Sequence, residues 1–135
     1  MAGSFSDFLE LELLDHVFGN ASYSAPATLY IALSTTTLVD AGSNFTEPSG
    51  NNYSRASVTN NGTNFPAAAA GAKANGTAIT FATASGSWGT VTHFGIYDAS
   101  SAGNLLAWGS LGTSKSIASG DTASFAIGDL DITLD

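Results

Sequence analysis

Short β-prone runs, each closed by a turn signal, constrain this chain more than any other feature. Residues 28–34 (TLYIALS) are β-branched, aromatic and apolar, the profile of a buried strand. Residues 53–59, 77–82, 90–97, 104–108, 123–127 and 129–134 follow as further strand candidates. Between them stand Asn60-Asn61-Gly62, Asn75-Gly76, Ser85-Gly86-Ser87 and the segment 98–103. Asn and Gly readily take the positive φ that tight turns require. In the 77–82 run Ile79 and Phe81 share a face. In the last run Leu130, Ile132 and Leu134 fall on one face and Asp129, Asp131 and Thr133 on the other. Roughly seven or eight such strands predict a mostly β fold, a single-domain antiparallel β-sandwich of jelly-roll-like type. The stretch 65–74, with Pro66, Gly71 and an alanine tract, reads as an irregular loop, and 35–52 as a long polar one. No internal repeat is visible, which argues against a fibrous shaft or β-helix.

One segment differs. Residues 1–19 carry a short N-terminal helix, with Ser6 as its cap and Asp7 in the first turn against the helix dipole. Phe8, Leu11, Leu14 and Phe18 recur at helical spacing with Val17 beside them, and Gly19-Asn20 is a stop signal. Leu9 to Leu13 also alternates as a strand would; the length of the pattern and its stop signal favour the helix. Such a helix either packs on its own sheet or docks on a partner.

Charge narrows the function classes. Only 10% of the 135 residues are charged, and eleven acidic residues face three basic ones, Arg55, Lys73 and Lys115, for a net charge of −8. A typical soluble domain is about 25% charged. Nucleic-acid binding rests on many Lys/Arg phosphate contacts, so neither nucleic acid nor an anionic membrane is an expected partner. There is no cysteine, hence no disulfide framework or thiolate chemistry. The first residues carry acids where a signal peptide carries Lys or Arg, so synthesis in the cytoplasm is expected. A length of 135 residues suits one domain, 1–135.

The residues that could carry chemistry each have a simpler reading. Asp129 and Asp131 could bind a hard cation, but acids on the solvent face of a half-buried strand are the default and discourage edge aggregation. His16 and His93 lie in no H-E-x-x-H or G-x-S-x-G context. Glu10, Glu12 and Glu47 are the only glutamates, and two sit on the helix, so no glycosidase pair is legible. Ser85-Gly86-Ser87-Trp88-Gly89 lacks the lysine of a phosphate loop. Trp88, Trp108, Tyr97 and Phe94 read as core plugs before they read as a sugar platform. Sequons at Asn20, Asn44, Asn52, Asn61 and Asn75 are expected by chance in a chain this rich in Asn, Ser and Thr. No catalytic, cofactor-binding or metal residue is assigned, and no enzyme activity is expected.

The strings LLDHVFGNASYSAPATLYIALST, EPSGNNYSR, THFGIYDA and SGDTASFAIGDLDITLD resemble short tailed-phage virion structural proteins, often labelled tail fibre proteins, over nearly the whole chain. The resemblance implies a virion component with a β-sandwich fold and trimeric assembly, and it carries no catalytic residues. The short length favours a compact knob over a whole fibre. The first expectation is a capsid decoration (cement) protein that binds the major capsid protein; a tail fibre or tail/collar knob bound to a tail component is the alternative. A carbohydrate-binding module, in which Trp88 or Trp108 would be solvent-exposed, is the reading from another class.

Overall fold

The structure, a computed structural model, describes residues 2–134. It contains nine strands and one helix: β1 (Ala2–Phe5), α1 (Asp7–Val17), β2 (Thr28–Ser34), β3 (Ala56–Thr59), β4 (Ala72–Ala74), β5 (Ile79–Thr80), β6 (Gly89–Tyr97), β7 (Leu105–Ile117), β8 (Ser124–Phe125) and β9 (Asp131–Thr133). The fold is mostly β with one short helix, as the turn-punctuated pattern predicts. Seven strands form one sheet in the order β3-β2-β6-β7-β1-β9-β4, and β5 and β8 form a separate ribbon. All pairs are antiparallel except β1 with β9, which run parallel through Ala2↔Asp131 and Gly3↔Ile132.

Strand alternation sorts side chains onto the two faces of the large sheet. Ile31 and Leu33 of β2 and Phe94 and Ile96 of β6 point to one face, where Ile79 and Phe125 of the ribbon close over them. The Phe94 and Phe125 rings meet at 5.8 Å and 73°. Tyr53, Phe81 and Trp88 extend this core as an aromatic group, Tyr53 and Trp88 lying edge to face at 5.1 Å. Ala32, Tyr97 and Leu105 point to the other face, where Leu38 and Phe45 from the loop between β2 and β3 cover them. The long polar loop of the sequence is therefore a lid on the second face. Ser34, fully buried, fixes its start by accepting hydrogen bonds from the Thr36 and Thr46 amides.

Two features of this sheet are invisible to a strand pattern. Gly3 and Gly109 face each other across β1 and β7, and a Cβ on Gly3 would stand 2.6 Å from the Trp108 carbonyl oxygen and 3.1 Å from the Phe94 ring. Phe94 is paired with Gly109, so its ring fills the space that two missing side chains leave. β1 is legible only through this contact, because AGSF alone has no strand signature. The second feature is a break in the β6–β7 register. Val91 pairs with Lys115 and His93 with Ser110, so one residue on β6 opposes four on β7, residues 111–114. The single long strand β7 contains this bulge, which is why only its apolar start, 104–108, reads as a strand in sequence.

Boundaries also shift at the C-terminal end. Strands expected over 123–127 and 129–134 shrink to Ser124–Phe125 and Asp131–Thr133, because Gly128 takes φ +82° and residues 127–129 form a turn. The expected irregular loop at 65–74 ends in β4, which pairs with β9 through Lys73↔Ile132. Buried Asn75 holds this corner together. Its side-chain amide donates to the Thr77 and Ala126 carbonyls, at 2.8 and 2.9 Å, and its side-chain oxygen accepts from the Leu130 amide.

Candidate functional site

The two sequence blocks that stand out, EPSGNNYSR and THFGIYDA, meet in space at Arg55. The Arg55 guanidinium donates to both Glu47 carboxylate oxygens, with Nη2 at 2.8 Å from Oε2 and Nε at 3.1 Å from Oε1. Its Nη1 donates to the carbonyls of Ala99 and Ala102, at 2.7 and 2.9 Å, in the turn after β6. The guanidinium carbon lies 3.8 Å from the centre of the Tyr97 ring, a cation–π contact. Tyr53 completes the group: its hydroxyl donates to Glu47 Oε1 at 2.7 Å and accepts from the Leu33 amide at 3.0 Å. Only 6% of the Arg55 side chain is exposed, against 27% of Glu47.

Electrostatics follow from this packing. Burial pushes the Tyr53 phenol well above its ordinary value, and the hydrogen bond to Glu47 and that group's negative charge push the same way. Burial also raises Tyr97. For Arg55 burial acts to lower the value, but the hydrogen bond and charge of Glu47 outweigh it and the net direction is up. The cluster is thus a fixed cation, its carboxylate and two neutral phenols. It clamps the β2–β3 loop to the turn following β6, and Asp98 tightens that turn by accepting from the Asn104 amide at 2.7 Å. The sequence signal for it was present: Arg55 is the only arginine, and it follows Glu47 and Tyr53 in one block.

The helix is the second candidate. Its N-terminus is fastened: Ser6 is buried, accepts from the Leu9 amide at 3.3 Å, donates through its hydroxyl to the Leu105 carbonyl, and donates its own amide to Leu106 at 2.9 Å. The cap is at Ser6 as expected, but the helix covers only Asp7–Val17 of the 1–19 segment, and Ala2–Phe5 form β1 instead. The helix does pack on its own sheet, but through a different face from the one that helical spacing picks out. Leu9 is the buried residue of α1 and Leu13 is half-buried, whereas Leu11, Leu14, Val17 and Phe18 are 65%, 55%, 64% and 79% exposed. Most of the stripe picked out by helical spacing therefore faces solvent. A helix with apolar residues on two sides gives a sequence reader no means of choosing the inner one.

The remaining sequence candidates separate. Trp88 is 4% exposed and its indole N–H donates to the Asn51 carbonyl at 2.9 Å, so it is a core plug and not a sugar platform. Trp108 is half-buried and donates to Asp40 at 3.0 Å. His93 Nδ1 is 2.8 Å from Thr92 Oγ1, and burial lowers the histidine's pKa. His16 Nδ1 accepts from the Tyr23 amide at 3.0 Å, beyond the helix. Asp129 lies in the turn and lines a groove beside the 111–114 bulge, while Asp131 in β9 lines a different hollow next to β4. The expectation that they project together fails because residue 129 precedes the strand. Among the described residues no group of three or more His, Asp or Glu side chains could hold a metal ion. Each sequon asparagine bonds within the fold: Asn20 to Asp15, Asn44 and Asn52 to loop carbonyls, Asn61 to two loop amides, and Asn75 at the buried corner.

The groove beside the bulge measures about 660 Å³ and is lined by Leu111, Thr113, Lys115, Asp121 and Phe125, among others. Its rim is mixed in charge and it has no histidine.

Residues 4–133 match the family described as Podophage GP4 fiber I protein gp80. The chain belongs to that family. The match spans β1 to β9, so it takes in both the Arg55 cluster and the whole of α1. Membership in this fibre family implies a tailed-phage virion component, as the sequence resemblance implied. No curated protein matches the chain. Among the described residues no helix is long and apolar enough to cross a membrane.

Proposed function

We propose that this chain is a non-catalytic structural module that occupies a fibre position on the tail of a podophage particle. The observation that carries the reading is the family match over residues 4–133. A fibre family fits a tail position, so the tail fibre alternative is preferred here to the capsid decoration expected first. The fold supports a passive role: its most organised polar group, Glu47–Arg55–Tyr53, is turned inward and joins two loops. A repeated position on a particle asks little of each contact, because copies multiply a modest interface energy. Self-association into trimers, with a tail component as the further partner, completes the proposal.

Immunogold labelling of intact particles tests it. Gold confined to the tail is the expected result. Gold spread over the icosahedral shell would replace the fibre reading with capsid decoration, and particles without label would remove the virion role. Light scattering on the purified chain reads the oligomer directly; a mass of one or two copies would overturn the trimer.

A further inference from the structure

We propose that the outer face of α1 is a docking helix that seats in an apolar groove rimmed by Lys or Arg on a different virion protein; this rests on the virion reading above. Leu11, Leu14 and Phe18 stand at i, i+3 and i+7, the spacing of anchors in helix-in-groove recognition, and Val17 adds to them. All four are more than half exposed, on a helix already secured from its other side by Leu9 and at its start by Ser6. The sheet therefore does not need this stripe, and large apolar side chains clustered at the surface mark an interaction site.

Charge decides between occupants. α1 carries Asp7, Glu10, Glu12 and Asp15 and no Lys or Arg. A second copy of this chain is a poor match for that rim. It brings a net charge of −8 and three cations, of which Arg55 is committed to Glu47 and the turn carbonyls, leaving Lys73 and Lys115. Packing the stripe against another copy would bring acids toward an acidic surface. A basic-rimmed groove removes that repulsion and adds long-range attraction, which appears as a salt-sensitive association rate. Size agrees. Four side chains fall well short of the roughly 800 Å² per partner that a flat stable interface buries, so a concave partner that wraps the helix is required.

The test uses phage lacking the gene, complemented with the full chain, and counts copies per purified particle by quantitative mass spectrometry. Wild type, Leu14→Ser/Phe18→Ser and Glu10→Lys are compared, with circular dichroism and light scattering on each purified protein. The expected result is normal incorporation of wild type, a loss of about tenfold or more for the apolar pair, and a smaller loss for Glu10→Lys. Folding and solution oligomer stay unchanged in both variants. Full incorporation of the apolar pair overturns the proposal while leaving the virion role intact. An altered oligomer in that variant assigns the stripe to contacts between copies, and an unfolded variant assigns it to the chain's own stability; either overturns it. Undiminished incorporation of Glu10→Lys overturns the basic rim. Absence of wild type from particles overturns the virion reading and the inference together.

Discussion

The loop from Glu47 to Arg55 and the helix α1 treat side chains in opposite ways. The loop carries the chain's only Glu–Arg block and turns it inward, where a guanidinium that is 6% exposed meets a carboxylate, two carbonyls and an aromatic face. The helix carries four large apolar side chains and turns them outward. A buried ion pair that is fully hydrogen-bonded fixes geometry more surely than it adds stability. An exposed apolar stripe adds nothing to the isolated fold. The difference teaches that the loop uses its polar residues to set the chain's own geometry, while the outer apolar residues of the helix are left over from it, as the proposed docking role requires.

Substitutions can break or sharpen this contrast. Arg55→Ala should have the largest effect, about 2–4 kcal/mol by urea unfolding, below the 3–5 of a fully buried pair because Glu47 is partly solvated. It removes the clamp on two turns and leaves a carboxylate without its cation. A loss under about 0.5 kcal/mol would mean the cluster is decorative.

Alkaline pH should weaken the same region next. Tyr53 and Tyr97 have folded pKa values raised above their unfolded value of 10.0. A raised acid binds its proton more tightly when folded, so the stability it contributes is complete below pH 10 and is lost as pH climbs beyond it. The urea midpoint should fall between pH 10 and 11, and Tyr53→Phe should reduce that fall. An identical fall in Tyr53→Phe would assign the effect elsewhere.

Ser6→Ala removes a cap and the hydroxyl bond to Leu105, and should cost about 0.5–2 kcal/mol. The loss should show first as reduced helical signal at 222 nm. Smallest of all, Leu14→Ser and Phe18→Ser should each change stability by no more than about 0.5 kcal/mol. If either costs 2 kcal/mol or more, the stripe is serving the fold and the contrast collapses.

Much of this was legible one segment at a time. The cap at Ser6, the stop at Gly19, the strand at residues 28–34 and the inward pair Ile79 and Phe81 follow from local rules of period, capping and φ, and the structure has them. β1 was not legible, since Ala-Gly-Ser-Phe becomes a strand only by pairing with β7 and β9. The bulge at 111–114 was hidden for a related reason: register is a property of two strands, and one sequence run cannot report it.

The sequence by itself determined a β-rich, weakly charged chain with one capped helix, and through its blocks it pointed to the phage virion. Only the tertiary structure decided which way the unusual residues face. It set Arg55 inward against a carboxylate eight residues earlier and carbonyls more than forty residues later, and it set the helix down on Leu9. The reason is physical. Period, capping and turn geometry are energies of neighbours in the chain, whereas burial is an energy of whatever segment arrives from far away.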